Sequence, residues 1–263
     1  MKKVLVLLFS ALALFYVTGC KKAEQSSNEQ PKGETQAEFV IGLDDSFPPM
    51  GFRDENNEIV GFDIDLAREV AKKLNMKLVI QPIDWASKEL ELNNGKISCI
   101  WNGLSVSPAR EEAMTLSKPY IANKMIIITK LDSPLELKAD LSGKTVGLQT
   151  GSTAVAALEK DPISKQVEQA TYENNVLALQ DLDIGRIDAV IMDEVVARYM
   201  LTKKPNTYKV LNDSFNAEFY AIAFKKGNVE LKDKVEKAIS ELIAEGKAAE
   251  ISKKWFNDDI IVK

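Results

Sequence analysis

The stretch LNNGKISCI at residues 92–100 recurs in outline as LDIGRIDAV at residues 182–190. In both copies a helical pattern ends at a glycine that can adopt the left-handed conformation, and residues that favour a buried strand follow. We expect these two strands to end near Gly103 and Asp193. Ligands of open α/β sheets bind just beyond the carboxyl ends of strands, so the repeat predicts two lobes that face each other across a cleft. The alternative is that helix, glycine and strand recur by chance, as they do in any α/β protein.

The chain on either side of this repeat alternates in the same way. The runs FVIGL at residues 39–43 and KLVI at residues 77–80 are typical of buried strands. Between them, apolar residues keep helical spacing over residues 62–74, with Asp63 able to cap the helix. A last helical pattern ends in the aromatic residues 255–256, which we expect to pack against the first lobe. This alternation predicts an α/β fold with largely parallel sheets.

The composition excludes several classes of protein. The chain has 263 residues, with 34 Lys and Arg, 39 Asp and Glu, no histidine and a formal net charge of −5. Without histidine there can be no Ser-His-Asp triad, no Cys-His pair and no His-ligated zinc. The negative charge argues against a basic surface that binds nucleic acid. A hydrolytic enzyme stays possible at this point, but it would have to work with carboxylates, lysines or hydroxyls. We predict no catalytic residue, no metal site, no cofactor and no nucleic-acid partner.

The N-terminus has the pattern of an export signal. Two lysines precede an apolar run at residues 4–17, which is shorter than the roughly 18–20 residues that span a bilayer. The run ends in VTGC at residues 17–20, which resembles the lipobox of bacterial lipoproteins. That resemblance implies a signal peptide at residues 1–19 and a lipid, such as palmitate, on Cys20. The alternatives are an ordinary secretory peptide with a chance cysteine, or a buried thiol.

Residues 20–37 are expected to comprise the lipid-bearing cysteine and a disordered tether. The tether, KKAEQSSNEQPKGETQA, contains almost no apolar side chain that could offset the entropy of ordering. If Cys20 carries lipid, Cys99 has no disulfide partner, and its apolar surroundings suit a small core residue. We therefore expect a protein that contacts the membrane of a bacterial envelope through its lipid only and faces the periplasm or the exterior.

Six segments after the tether carry a more specific pattern. They are IGLDDSFPPMGF at residues 41–52, VGFDIDLA at 60–67, GLSVSPAR at 103–110, VGLQTGST at 146–153, YAIAF at 220–224 and KWF at 254–256. In this order and spacing they resemble the polar amino acid-binding proteins of bacterial ABC importers, the family of the glutamine-, histidine- and arginine-binding proteins. The resemblance covers nearly all of the chain after the tether.

This resemblance implies the type II periplasmic binding protein fold, an α/β fold of two lobes joined by two hinge strands. The hinge strands are expected near residues 119–124 and 219–223. Lobe 1 is expected to comprise residues 38–121 and 222–263, and lobe 2 residues 122–221. Closure about the hinge then completes a site that the two lobes share.

An α-amino acid is a zwitterion, so its site needs a cation for the carboxylate and acceptors for the ammonium. Arg110 is the expected partner of the carboxylate, because its planar guanidinium donates two parallel hydrogen bonds. Ser105 can add a hydroxyl to the same group. The alternative for Arg110 is a surface ion pair with Glu111 or Glu112.

Two further pairs of residues are expected at the zwitterionic end of the ligand. Ser152 and Thr153 are predicted to lie at a helix N-terminus, whose free N–H groups favour an anion, with simple capping as the alternative. The carbonyl of Gly103 and the carboxylate of Asp193 are the candidates for the ammonium. Asp193 also precedes the predicted helix 194–201, so capping is its alternative, but the resemblance implies an ammonium-pairing aspartate here.

Five residues are expected at the side-chain end of the ligand. By resemblance to the glutamine-binding protein, Phe47 and Trp85 form aromatic walls, with core packing as the alternative. Asp44 lies where the family places an acid that reads the ligand side chain, and Asn102 offers both a donor and an acceptor. Gln149 replaces a basic residue of the glutamine-binding protein. That departure leaves glutamine, basic, other amide-bearing and cystine-like ligands open.

The sequence thus predicts a lipid-anchored, monomeric substrate-binding protein that captures a free polar amino acid and delivers it to an ABC importer. The permease and ATPase are implied by the resemblance, and the ATPase must be another chain because this one has no Walker motif. One alternative is an enzyme on the same fold, such as a periplasmic cyclohexadienyl dehydratase, with Asp44, Asp193 or Glu89 as the acid. A second alternative is a sensing or adhesion lipoprotein.

Overall fold

The computed structural model describes residues 36–262. The predicted signal peptide, Cys20 and most of the predicted tether lie outside the described residues. The last two tether residues belong to the folded part, because the carbonyl of Ala37 accepts a hydrogen bond from the Lys77 N–H at 2.9 Å.

The described residues form a mixed α/β fold. Its strands are β1 (Glu38–Leu43), β2 (Ser46–Phe47), β3 (Gly51–Arg53), β4 (Ile59–Val60), β5 (Lys77–Pro82), β6 (Cys99–Ser105), β7 (Met114–Leu116), β8 (Ile121–Lys130), β9 (Thr145–Gln149), β10 (Glu168–Tyr172), β11 (Ala189–Asp193) and β12 (Tyr208–Lys225). Its helices are α1 (Phe62–Lys73), α2 (Lys88–Asn93), α3 (Pro108–Ala113), α4 (Thr153–Lys160), α5 (Asn175–Asp183), α6 (Glu194–Lys203), α7 (Val229–Ala244) and α8 (Lys247–Phe256). None of these helices is long and apolar enough to cross a membrane.

The main sheet consists of two parallel groups joined by antiparallel strands. Its order is β10-β9-β11-β8-β12-β6-β1-β5, with β7 also paired to β12, while β2, β3 and β4 form a separate small sheet. Strands β5, β1 and β6 are parallel to one another, as are β10, β9 and β11. The prediction of largely parallel sheets is confirmed for these outer groups. The central strands β8 and β12 are antiparallel, because the chain passes from the first group to the second through β8 and returns through β12.

The segments predicted as hinges lie side by side in these two central strands. Ile121 is opposite Tyr220 and Asn123 is opposite Glu218 in the antiparallel ladder between β8 and β12. The first part of β12 continues along β8, and its last part pairs with β6 and β7. Each half of the fold therefore connects to the other through this one pair of neighbouring strands.

Each half contains a buried cluster of apolar side chains, and a larger cluster includes residues of both halves, such as Phe39 and Leu179. One cluster contains Trp85, Leu92, Ile100 and Leu104 of the first half. Another cluster lies around β8, β9, β11 and α4, with members such as Ile127, Leu148, Leu158, Ile191 and Leu211. Burying one such side chain contributes about 1.5–3 kcal/mol, so both halves gain stability locally.

The first half is completed by helices from the two ends of the sequence. Helix α1 packs against α7 and α8. The ring of Trp255 lies 5.8 Å from that of Phe52, and the ring of Phe256 lies 5.2 Å from that of Phe62. The prediction that the C-terminal aromatic residues anchor α8 in the first half is confirmed. Cys99 is fully buried and unpaired, as expected of a core residue.

The repeated sequence forms the same local structure twice. Gly95 and Gly185 adopt the left-handed conformation, with φ of 72° and 74°, and each is followed by a parallel strand. Strand β11 ends at Asp193 as predicted, whereas β6 continues two residues beyond Gly103 to Ser105.

The prediction that Asp63 caps α1 is wrong. Helix α1 begins after Gly61, with no side-chain cap. The carboxylate of Asp63 instead points into the core, where Oδ2 accepts hydrogen bonds from the Gly103 N–H at 2.8 Å and the Tyr120 hydroxyl at 3.0 Å. Buried donors on β6 and next to β8 bind this carboxylate, in place of the N–H groups in the first turn of α1.

Substituting Gly185 tests the left-handed stop. Gly185→Ala should lower the free energy of unfolding by about 1–2 kcal/mol, because a side chain disfavours positive φ, although no other atom crowds the position. The measurement is urea denaturation. Gly185→Asn is the matched control. Its free energy of unfolding should decrease less than that of Gly185→Ala, since asparagine tolerates this conformation. Equal losses for Ala and Asn would contradict the conformational explanation.

Candidate functional site

The eleven residues predicted to contact a ligand line a single cavity. The empty space between these residues is about 270 Å³ with open solvent included, and only about 10 Å³ of it is open to the centre of a water molecule, so the cavity is narrow in this structure. The residues that line it are Asp44, Phe47, Trp85, Asn102, Gly103, Ser105, Arg110, Gln149, Ser152, Thr153 and Asp193. They come from the ends of β1, β5, β6, β9 and β11 and from the segments that follow, so both parallel groups of the sheet contribute.

Arg110 is a buried cation in this cavity. It lies on α3, only 8% exposed, and its two terminal nitrogens donate to the carbonyls of Ser105 at 2.7 Å and Gly151 at 3.1 Å. These bonds replace the surface ion pair that was the alternative. Burial lowers the pKa of Arg110, and the carboxylates of Glu89, Asp193 and Glu218 oppose that shift. A guanidinium has five N–H donors, so capacity is left for an anion.

Asp193 is a buried carboxylate in the same cavity. Its Oδ1 accepts hydrogen bonds from the Tyr220 hydroxyl and from Nδ2 of Asn123, both at 2.7 Å. It forms no side-chain cap on α6, so the capping alternative does not describe its role. Burial raises the pKa of Asp193 to about 7. Because both bonds end at Oδ1, Oδ2 keeps its capacity to accept a hydrogen bond from a cation.

Asp44 and Gln149 meet at another part of the cavity. Nε2 of Gln149 donates to Oδ2 of Asp44 at 2.7 Å, and the Ser46 N–H donates to Oδ1 at 2.8 Å. Asn102 accepts the N–H of Asp44 at 3.1 Å and so orients its backbone. Burial raises the pKa of Asp44 to about 6, and the bonds from Ser46 and Gln149 oppose the increase. This contact joins the end of β9 to the end of β1.

Two aromatic side chains and a glycine shape the cavity. Phe47 and Trp85 are almost completely buried. Gly103 has a φ of 58°, and a Cβ there would lie 2.9 Å from the Phe47 ring and 3.0 Å from the Tyr220 ring. Glycine is therefore required at this position for both conformation and space. Its carbonyl lies on the strand that supplies Asn102 and Ser105 to the cavity.

Ser152 and Thr153 lie where α4 begins. Ser152 occupies the N-cap position, but its hydroxyl donates to the Gln149 carbonyl at 2.8 Å and makes no side-chain cap. Thr153 donates its hydroxyl to Oε2 of Glu218 at 2.9 Å. The capping alternative is therefore not realised for Ser152. The first N–H groups of α4 have no partner within the helix, which makes this end of the cavity suitable for an anion.

The residues behind the cavity were not predicted from the sequence. Asn123 and Tyr220 hold Asp193, Asn175 donates to Oε1 of Gln149 at 3.2 Å, and Glu218 holds Thr153. Asn175 and Glu218 belong to no quoted motif, and the motif and hinge segments that contain Tyr220 and Asn123 assigned them no contact, so these roles follow only from the three-dimensional structure. The one available signal was a tyrosine within each predicted hinge.

The architecture and this charged cavity between two parallel strand groups define the class of two-lobe solute-binding proteins. The chain belongs to the bacterial extracellular solute-binding proteins, family 3, whose family model matches residues 39–258. The type II periplasmic binding protein fold predicted from the sequence is thereby confirmed.

Curated relatives span nearly the whole chain. It is 32% identical to the "Probable amino-acid-binding protein YxeM" of Bacillus subtilis (strain 168), over 100% of this chain and 98% of that protein. It is 28% identical to the "L-cystine-binding protein TcyJ" of Escherichia coli (strain K12), over 87% of this chain and 86% of that protein.

A solved structure agrees with these relatives. A substrate-binding protein of an ABC uptake transporter from Streptococcus pneumoniae, solved with bound histidine, superposes with a TM-score of 0.83. It is 38% identical, over 86% of this chain and 95% of that chain. Since these relatives are binding proteins, the chain is a solute-binding protein of the ABC-importer type, and the enzyme alternative is not favoured.

Three buried carboxyl groups predict how stability depends on pH. Burial raises the pKa of Asp44 to about 6 and those of Asp63 and Asp193 to about 7. Between the unfolded pKa near 4 and these folded values, the folded protein binds more protons than the unfolded chain. The free energy of unfolding without ligand should therefore decrease as pH rises from 5 to 7, as measured by urea denaturation at each pH.

Asp63→Asn is the control for this effect. The amide keeps an acceptor for Gly103 and Tyr120 but does not titrate, so the decrease between pH 5 and 7 should become smaller. A stability that increases from pH 5 to 7 in the native protein would contradict the assignment of these groups as buried acids.

Proposed function

We propose that this protein captures a polar amino acid between its two lobes and delivers it to the permease of an ABC importer. The observation that carries the proposal is the presence of a buried guanidinium, Arg110, and a buried carboxylate, Asp193, in one small cavity. A zwitterion satisfies both charges at once. Relatives named for arginine, cystine and histidine binding support an amino acid ligand.

Arg110 is the proposed partner of the ligand α-carboxylate. Its two protein contacts hold the guanidinium plane in place and leave other N–H groups for two parallel, charge-assisted bonds. The hydroxyl of Ser105 and the first N–H groups of α4 at Ser152 and Thr153 complete the set of donors. All of these groups line the cavity.

Asp193 and the Gly103 carbonyl are the proposed partners of the α-ammonium. Tyr220 and Asn123 hold Oδ1 of Asp193, which leaves Oδ2 for the ligand. The ammonium stabilises the ionised carboxylate, so ligand binding lowers the pKa that burial had raised. Binding thus offsets part of the free energy that burying this acid costs.

The opposite end of the cavity favours a side chain with N–H donors. Asp44 supplies a buried carboxylate there, and Asn102 and Gln149 line the same cavity. Phe47 and Trp85 provide flat apolar walls, which suit a guanidinium, imidazole or amide group. We therefore propose a ligand with a basic, imidazole or amide side chain, or the second amino group of cystine, and not an acidic amino acid.

The lobes are proposed to comprise residues 38–121 with 222–263, and residues 122–221. With these bounds, three side-chain hydrogen bonds among the described residues link the lobes: those of Arg110 and Lys88 to Gly151 and that of Gln149 to Asp44. Rotation about the paired strands β8 and β12 opens and closes the cleft. The liganded, closed monomer then docks on the permease, and a separate ATPase supplies the energy.

Titration calorimetry tests this function. Residues 21–263, unfolded and refolded to remove any copurified ligand, are titrated with the twenty amino acids, cystine and ornithine. We expect submicromolar binding of at least one member whose side chain carries N–H groups. Preferential binding of glutamate or aspartate contradicts the proposed role of Asp44. Absence of all binding, with turnover of prephenate or arogenate, supports the enzyme instead.

Asp193→Asn tests the ammonium site. Affinity should fall about thirtyfold or more, since removing one partner of a buried charge pair costs roughly 2–5 kcal/mol. In the native protein, affinity should also increase as pH rises from 5.5 to 7.5, because Asp193 must ionise before it can pair with the ammonium. Asp132→Asn, in an exposed turn, is the matched control and should change neither quantity. Unchanged affinity in Asp193→Asn removes this residue from the site.

We also propose that lipidation of Cys20 attaches the protein to a membrane of the bacterial envelope, facing the periplasm or the exterior. The support is the sequence VTGC at residues 17–20 after an apolar run. Cys20→Ser should abolish incorporation of labelled palmitate and move the protein from the membrane fraction to the soluble fraction. Cys99→Ser is the control and should keep both properties. Palmitate labelling that persists in Cys20→Ser contradicts the anchor.

A further inference from the structure

Lys88 is a buried cation that the proposed ligand contacts do not use. It is the first residue of α2 and is only 2% exposed, although lysine is almost never buried without a partner. Burial and the nearby charge of Arg110 both lower the pKa of Lys88. Lys88 is not among the residues that line the cavity. Direct contact with the ligand therefore does not explain why this ammonium is buried.

The ammonium of Lys88 has three oxygen neighbours. Nζ donates to the carbonyl of Trp85 at 3.1 Å and to the carbonyl of Gly151 at 3.0 Å, and it lies 3.3 Å from Oε1 of Glu89. Two of these neighbours belong to the same segment as Lys88 itself. The third, Gly151, belongs to the turn between β9 and α4. The contact with Gly151 is therefore the one that joins two distant parts of the chain.

The carbonyl of Gly151 accepts from two cations. Besides Nζ of Lys88, a terminal nitrogen of Arg110 donates to it at 3.1 Å. Gly151 has a φ of 74°, and a Cβ at this residue would lie 3.3 Å from both Cα of Ala86 and Nζ of Lys88. The turn therefore approaches the segment at residues 85–88 as closely as a glycine backbone permits.

We propose that Lys88 is a positioning residue that stabilises the closed cleft by binding the Gly151 carbonyl together with Arg110. This inference rests on the proposed function, because it takes Lys88 and Gly151 to lie on opposite lobes. When the cleft opens, Gly151 moves away, while Trp85 and Glu89 remain beside the ammonium and water replaces the lost acceptor. Since the Gly151 bond exists only in the closed form, it shifts the equilibrium towards that form.

The same contact also positions Arg110. With Gly151 docked, the guanidinium is held between the carbonyls of Ser105 and Gly151. Lys88 fixes the Gly151 carbonyl from a second direction and so restricts the orientation in which Arg110 meets a carboxylate. We therefore expect Lys88 to affect how long the ligand stays bound more than how fast it enters the open cleft.

The test is Lys88→Met, which keeps most of the aliphatic stem and removes the ammonium. Stopped-flow measurements with the amino acid identified by calorimetry should show a dissociation rate increased about tenfold or more, as expected for loss of a hydrogen bond from a charged group. The association rate should change less than about twofold. Lys72→Met is the matched control, because Lys72 is exposed and pairs with Glu69 on α1. An unchanged dissociation rate, or a loss confined to the association rate, overturns the proposal.

A second measurement needs no ligand and separates this inference from the proposed function. Amide hydrogen exchange of the turn at residues 150–153 should be faster in ligand-free Lys88→Met than in the native protein or in Lys72→Met. If no amino acid binds, the proposed function fails, and this exchange still decides whether Lys88 holds the turn. Unchanged exchange overturns the contact itself. If Lys88→Met does not fold, Gly151→Ala replaces it, because the added Cβ occupies the same contact and should increase the dissociation rate similarly.

Discussion

The antiparallel pairing of β8 with β12, with Ile121 opposite Tyr220, connects the two parallel groups of the sheet. Two tyrosines beside this pairing hold acids from different halves. Tyr120 donates to Asp63, which also accepts the N–H of Gly103, and Tyr220 donates to Asp193. The rings of the two tyrosines lie 6.4 Å apart. The geometry around Asp193, the proposed partner of the ammonium, therefore depends on the strands that are proposed as the hinge.

Desolvated charges dominate the energetics of the cavity. Asp44 and Asp193 are buried with raised pKa values, and Arg110 and Lys88 are buried cations whose pKa values are lowered. Each charge costs free energy to bury unless an opposite charge or several hydrogen bonds compensate it. A zwitterionic ligand of the kind proposed would supply such partners.

Gly103 and Asp193 were predictable from a simple topological rule, whereas the other residues of the cavity were proposed from the family resemblance and from the chemistry of a zwitterion. Gly103 and Asp193 stand at matching positions in two similar strands, and residues near the carboxyl ends of neighbouring parallel strands converge at one edge of a sheet. The prediction for Asp63 failed because local sequence favours a helix cap at that position, whereas donors on β6 and at Tyr120 bind its carboxylate in the core. Asn175, Glu218 and Lys88 were missed for a related reason, since each acts through a partner far away in sequence.

The sequence by itself determined the alternation of helices and strands, the left-handed stops at Gly95 and Gly185, and the residue types that line the cavity. These features depend on local conformation, apolar periodicity and short motifs, which act over a few residues. Tertiary structure alone decided which buried polar groups pair, such as Gln149 with Asp44 and Lys88 with Gly151. Partners 105 and 63 residues apart in the chain meet only after both halves have folded and approached, because a hydrogen bond requires contact within about 3 Å.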